Sequence, residues 1–327
     1  MELIYTADHN GGWVDQGVLQ SFEMDLAYGA DENDFEITVP LDTYIPKRAL
    51  VYVDGTEWGG IVLGHKSSTF DDPASYITGK TWHGILDETY ILPPSGSTHY
   101  SVSGELNTAL RRVIEHVGLD YLFQASPEDS GVTVSHTFDR FTSAYEGLRK
   151  MLASHGLKLK IEVLPNSKPC IYAAPAGEYI DERESGGIDY EIEESAPYNH
   201  ILCIGKGEGE ERTVVNLYAD KFGNVSTTPT YFGVERRTYR YELTQADEAE
   251  ITKSGTKKLK ELWEAASVCD LHLPDGRSYD VGDTVGVVDE INGIEVTAQV
   301  TKAIVTVKQT GVVSISNEVG NITARKS

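Results

Sequence analysis

Residues 205–210 read GKGEGE, a lysine held between glycines and followed by carboxylates. Glycines around a lysine can cradle phosphate when a helix and a Ser or Thr follow. Here Gly207 stands directly after the lysine, where that hydroxyl would help hold magnesium, so Gly205-Lys206-Gly207 reads as a polar hairpin tip. The chain carries 51 acidic residues. Asp31-Glu32-Asn33-Asp34 and Glu191-Glu193-Glu194 are dense enough to suggest calcium. Neither has the alternating aspartates and central glycine of a calcium loop, so both read as solvated acidic faces. Nine histidines are scattered, with no pair four residues apart. No GxSxG elbow or HExxH pair occurs. Catalytic, cofactor-binding and metal-ligating residues are each expected to be none, and the chain is not expected to be an enzyme.

Bulk properties narrow the classes further. The net charge of -23 argues against a sequence-reading DNA-binding protein, which needs cations to replace phosphate counterions. It is compatible with a surface that nucleic acid passes without sticking. Cys170, Cys203 and Cys269 form no CxxC, so a reducing compartment fits and neither disulfides nor zinc are expected. The opening MELIYTADHNGG lacks the basic and apolar regions of a signal peptide. No apolar run approaches the ~20 residues of a membrane helix. The sequons at Asn224 and Asn321 are read as chance. Eighteen tyrosines suit interfaces and β-barrels alike.

The elements follow from periodicity. Residues 1–95 read as a first β domain. Phe35–Val39 alternates apolar and polar, as a half-buried strand does. Strands at 49–53 and 60–63 turn around Asp54-Gly55. Tyr76–Leu86 reads as one or two strands, and Pro93-Pro94-Ser95-Gly96-Ser97 as a linker. Residues 96–188 read as a small α/β domain. Leu106, Ala109, Leu110, Val113, Ile114 and Val117 mark one face of a helix over 104–117. Ser103 is its expected N-cap and Gly118 its C′ residue. Ser143 and Glu146 have capping-box spacing and open a second helix, with Tyr145, Leu148, Leu152 and Ala153 inward. Strands follow at 157–163 and 170–173. Residues 181–194 form an acidic return segment.

Residues 189–327 read as a second β domain. Its strands are expected at 200–204, 213–218 and 239–242. A helix at about 245–266 interrupts them, capped by Thr244 and weakened by Gly255, where it is expected to bend or break. Then comes YDVGDTVGVVDEINGIEVTAQV at 279–300, a hairpin around Asn292-Gly293, where a two-residue turn is expected. It echoes LVYVDGTEWGGIV at 50–62, with Val51-Tyr52-Val53-Asp54 over Gly286-Val287-Val288-Asp289. A last pair, 303–307 and 312–316, turns around Gln309-Thr310-Gly311.

Several of these phrases resemble a known family. FEITVPLDTYIPKRALVYVDGTEWGGIVLG, GKTWHGIL ending at Pro93-Pro94, and NHILCIGKGEGEERTVVNLYAD at 199–220 are similar to siphophage and prophage tail proteins of the baseplate-hub family. The last of these is the most specific. YDVGDTVGVVDEINGIEVTAQVTKAIVTV and the closing VSISNEVG continue the likeness over nearly the whole chain, with 96–188 matching in pattern only. The resemblance implies an α+β, mainly β chain with two similar β-barrel domains and an intervening α/β domain. It implies a homotrimeric ring at the virion tail tip, made in the bacterial host cytoplasm. The ring would connect the distal tail protein or tail tube above to tip or fibre proteins below. DNA would pass through its lumen without specific binding. The chain ends soon after the last barrel strands, so no appended enzyme is expected. The alternatives are a carbohydrate- or receptor-binding tail-tip module and a cell-wall hydrolase.

Overall fold

Alternation of apolar and polar residues builds the largest sheet. The computed structural model describes residues 1–6, 14–70, 73–182, 187–274 and 276–326. Part of the opening segment, 7–13, and part of the acidic return segment, 183–186, lie outside the described residues. The first strands are β1 (Leu3–Thr6), β2 (Asp15–Leu19), β3 (Glu23–Gly29), β4 (Asp34–Val39), β5 (Leu50–Val53), β6 (Gly59–Ser68) and β7 (Ala74–Thr81). In β3 and β4, Met24, Leu26, Phe35, Ile37 and Val39 are buried, while Glu23, Asp25, Asp34 and Glu36 face water. Helix α1 (Trp82–Asp87) then departs from the strand expected through Leu86. Thr81 caps it, its hydroxyl accepting from the Gly84 N–H at 3.2 Å.

The middle segment holds β8 (Ser101–Glu105), α2 (Leu106–His116), β9 (Gln124–Ala125), β10 (Thr133–Thr137), α3 (Ala144–Ala153), β11 (Leu157–Glu162), β12 (Cys170–Pro175) and β13 (Glu178–Glu182). The expected face of α2 is buried. Its cap is Glu105, not Ser103, because Ser103 is drawn into the β8–β10 ladder. The Glu105 carboxylate accepts from the Asn107 and Thr108 N–H groups at 2.9 and 2.7 Å. It also accepts from the Ser130 N–H and hydroxyl at 3.0 and 2.7 Å. Gly118 takes φ +73°. Its N–H reaches Glu115 O and that of Leu119 reaches Ile114 O, closing the helix in a Schellman motif. Ser143 caps α3 as expected. Met151 is buried on α3 where Ala153 was expected, and Ala153 is exposed.

Next in the chain are β14 (Asp189–Glu194), β15 (His200–Ile204), β16 (Val214–Ala219), β17 (Val225–Ser226), β18 (Thr238–Glu242), α4 (Glu248–Glu264) and β19 (Ser267–His272). Strands β17-β16-β15-β18 form one sheet, and Ile201, Cys203, Leu217 and Ala219 pack against Ile251 and Leu259 of α4. Asp247, not Thr244, is the N-cap. The helix runs unbroken for 17 residues through Gly255. A Cβ at Gly255 would lie 2.3 Å from Cys203 Sγ. The glycine is there for close approach of helix to sheet, and packing offsets its poor propensity.

The chain closes with β20 (Thr284–Asp289), β21 (Ile294–Val307), β22 (Val313–Val319) and β23 (Thr323–Lys326). The large sheet runs β13-β20-β21-β3-β4-β7-β6-β5-β1-β2, with β22 and β23 also on β21. Strand β21 pairs first with β20 and β23, then with β3 and β22. The C-terminal strands therefore extend the N-terminal sheet, and among the described residues no sheet closes into a barrel. Two compact units result: Met1–Asp189 with Leu273–Ser327, and Tyr190–His272. The observed character is α+β and mainly β.

The echoed hairpins differ at their tips. Asp54 is exposed, whereas Asp289 is buried and accepts from the N–H groups of Ile291 and Asn292 at 3.0 and 3.1 Å. The second hairpin has a four-residue loop with positive φ at Gly293 only. The expected two-residue turn is replaced because the Asp289 carboxylate holds the wider loop.

Two predictions follow from the caps and contacts. Gly255→Ala should destabilise the protein by about 1–3 kcal/mol through overpacking, although alanine favours helices. Adding Cys203→Ala should recover most of that loss in a urea-denaturation double-mutant cycle. For Glu105, burial pushes the carboxyl up, but its four hydrogen bonds outweigh burial and hold it at about 2, below the usual 4.5. A depressed acid adds stability above its unfolded value and loses it as pH falls through the folded one. The melting-temperature gap between wild type and Glu105→Gln should hold steady above about pH 5 and close toward pH 2.

Candidate functional site

Strand β11 reads LKLKIE, and its alternation sends Leu159 and Ile161 into the core of the middle segment. Lys158 and Lys160 point the other way, where an exposed strand would meet water. Instead they meet carboxylates from distant parts of the chain. Lys158 Nζ lies 2.6 Å from Asp283 and 2.7 Å from Asp280. Lys160 Nζ lies 3.0 Å from Asp280 and 3.1 Å from Glu57. Glu57 comes from the β5–β6 loop and also accepts from the Ile161 N–H at 2.8 Å. Asp283 is 1% exposed. It accepts from Lys158, from the Gly177 N–H at 2.6 Å and from the Asp280 N–H at 2.9 Å. Gly282 has φ +103°, and a Cβ there would sit 3.0 Å from Lys158 Cβ, so this turn can close over β11 only as glycine.

A cleft of about 240 Å³ opens beside these charges. Tyr28, His83 and Tyr145 line it. The His83 ring stacks on Tyr28 with centroids 4.4 Å apart and meets Tyr145 edge-on at 5.3 Å. His83 is 2% exposed, and its Nδ1 has no hydrogen-bond partner. Arg149 of α3 lies over the Tyr145 ring, 5.3 Å from its centroid.

The electrostatics follow from burial and pairing. Burial, with Lys160 and Arg149 nearby, lowers His83 from 6.5 to about 3, so the ring is neutral. Burial raises Glu57, and Lys160 and the Ile161 N–H only partly oppose it. Burial alone would lower Lys158 and Lys160, but their carboxylate partners outweigh it and both are raised. Burial pushes Asp280 up, and the two lysines more than offset it. Burial raises the Tyr28 and Tyr145 hydroxyls, so both keep their protons. The cluster binds its own charges; it presents no activated nucleophile.

The residues first weighed for chemistry lie elsewhere. Lys206 sits in the β15–β16 connection, where its N–H reaches Ala246 O, just before the Asp247 cap of α4, and its carbonyl accepts from the Thr213 N–H. Asp31 and Glu32 approach Lys302 at 3.6 and 2.9 Å, joined by Glu318 at 3.1 Å. Asn33 turns inward to Gly29. Glu191 and Glu193 are exposed on β14. The three cysteines are free, and burial raises the Cys203 thiol to about 11. Among the described residues no group of His, Cys, Asp and Glu is arranged to hold a metal, and no helix is long and apolar enough to cross a membrane. The one signal for the clamp was the spacing of Lys158 and Lys160 against Asp280 and Asp283. Nothing local joined them.

Breaking the clamp should be costly. Lys158→Met leaves Asp283 buried without its cation and should cost about 3–5 kcal/mol in urea denaturation. Adding Asp283→Leu should recover only part, because the Gly177 and Asp280 N–H groups remain unpaired.

The chain matches no protein-family model and no curated protein sequence. Among solved structures it is similar to the 43 kDa tail protein of prophage MuSo2 from Shewanella oneidensis, at 12% identity and TM-score 0.42, over 98% of each chain. It is similar to a tail protein from Neisseria meningitidis MC58 at 12% identity and TM-score 0.41, over 98% of this chain and 96% of that one. It is also similar to prophage tail protein gp18 from Listeria monocytogenes EGD-e at 14% identity and TM-score 0.48, over 98% of this chain and 95% of that one.

Proposed function

We propose that this chain is a structural phage tail protein, a hub at the tail tip that assembles as a trimeric ring. One observation carries the reading: four of the phrases that resemble the hub family, though far apart in sequence, fold as neighbours in one sheet, while the phrase at 199–220 builds the β15–β16 pair of a separate sheet. FEITV lies in β4, beside β3 and β7. GGIVLG lies in β6, beside β5 and β7. AQVTKAIVTV lies in β21, beside β3, and VSISNEV forms β22, beside β21. The resemblance thus falls on residues that build the scaffold.

Six-fold tube above and three-fold tip below would meet through this ring, with the distal tail protein or tube as one neighbour and tip or fibre proteins as the other. Glu23, Asp25, Asp34 and Glu36 on the outward face of β3 and β4 suit a wall that DNA slides past, since like charge repels the phosphate backbone. No chemistry of its own is required of such a hub.

Light scattering on the purified chain, alone and with the adjacent tail protein, tests the ring. The expected mass is that of three chains in at least one of the two conditions. A monomer in both would sink the reading, and a basic channel wall in the assembled ring would remove DNA passage from it.

A further inference from the structure

One stretch of the smaller unit runs against the charge of the whole chain, which is -23. Residues 221–240 carry Lys221, Arg236, Arg237 and Arg240 against a single carboxylate, Glu235. The same stretch holds three exposed large apolar side chains. Phe222 is 73% exposed, Phe232 62% and Val234 99%. Arg236 lies against the rings of Phe232 and Tyr218, 5.5 Å from each centroid, and Arg237 against Tyr198 at 4.8 Å. Among the described residues neither arginine makes an ion pair. Exposed apolar groups beside aromatic rings and arginines have the composition of interface centres.

The loop that presents them is held in shape. Thr230 Oγ1 donates to Ala219 O at 2.7 Å, and Arg236 Nε to Tyr231 O at 3.1 Å. Asn199 clasps the far end: its Nδ2 donates to Glu235 O at 2.8 Å, and its Oδ1 accepts from the Arg237 N–H at 2.9 Å. Gly233 turns the backbone at φ +58° between Phe232 and Val234. A loop already fixed in this way loses little freedom on binding.

Charge selects what covers it. The chain is acidic overall, so copies repel unless a cationic patch faces a carboxylate-rich surface. Patch against patch would set cation on cation. Patch against the acidic surface of another copy is the attractive arrangement. That contact joins two different surfaces, so it repeats head to tail and closes into a ring when the rotation allows.

We propose that the loop 230–237 docks on an acidic surface of a second copy of this chain, with Phe232 and Val234 as apolar anchors and Arg236 and Arg237 beside them. The inference rests on the ring reading and names a surface that joins its subunits.

Light scattering over a range of concentrations tests the contact. It uses the full chain, alone and with the adjacent tail protein, in whichever condition gives the wild-type trimer. Val234 is so exposed that Val234→Asp should melt as wild type does. That variant should need at least about tenfold more protein to assemble, as loss of an interface anchor implies. Val234→Lys should fall between the two, because its cation meets carboxylates. A photo-crosslinking benzoylphenylalanine in place of Val234 should link one copy to another. Unchanged assembly of Val234→Asp would overturn this interface and leave the ring standing. So would Val234→Lys assembling no better than Val234→Asp, or a crosslink to the adjacent tail protein alone. A wild-type monomer in both conditions would overturn the ring and this interface together.

Discussion

Two lysines of one strand hold together three distant parts of the larger unit. Lys158 and Lys160 are covered by Glu57 from the first hairpin and by Asp280 and Asp283 from the C-terminal segment. Charges removed from water are stable only when paired and hydrogen-bonded. The burial of this face therefore requires all three carboxylates in place together. The β5–β6 loop, β11 and the turn before β20 are positioned by that requirement. The Gly55 N–H adds a bond to Val163 O, so the same loop is tied to β11 by backbone as well as by charge.

The same constraint shapes the cleft. The clamp forms a polar floor whose charges are already satisfied, and the aromatic wall of Tyr28, His83 and Tyr145 stands beside it. Reactive chemistry needs a group with a proton to give or take near neutral pH. The paired lysines, the neutral imidazole and the protonated phenols are held away from that range, while burial raises the Glu57 carboxyl. The smaller unit obeys a packing constraint instead: Gly255 lets α4 settle onto Cys203.

Much of the local structure was legible. The apolar stripe of α2, the Ser143 cap, the glycine after α2 and the limits of β15 all follow from periodicity and capping, which act over a few residues. The misread positions have identifiable causes. Ser103 loses its capping role because β10 recruits it into a ladder. Trp82–Leu86 turns helical because Thr81 caps it. Gly255 does not break α4 because a sheet lies under it. At Ser103 and Gly255 a partner distant in sequence outweighs a local preference of about 1 kcal/mol, whereas at Trp82 the adjacent cap decides.

By itself, the sequence determined the mainly β character, the helices with strong stripes, the acidic surface and the family-like phrases. These depend on composition and short-range spacing. Tertiary structure alone decided that the C-terminal strands join the N-terminal sheet, that Lys158 and Lys160 are paired out of water, and that His83 packs between Tyr28 and Tyr145. Those outcomes turn on strand β21 serving two ladders and on charges far apart in the chain, Lys160 with Glu57 and Asp280 and Lys158 with Asp280 and Asp283, finding each other. Pairing of that kind is set by which surfaces can be desolvated together, and no window of sequence contains both partners.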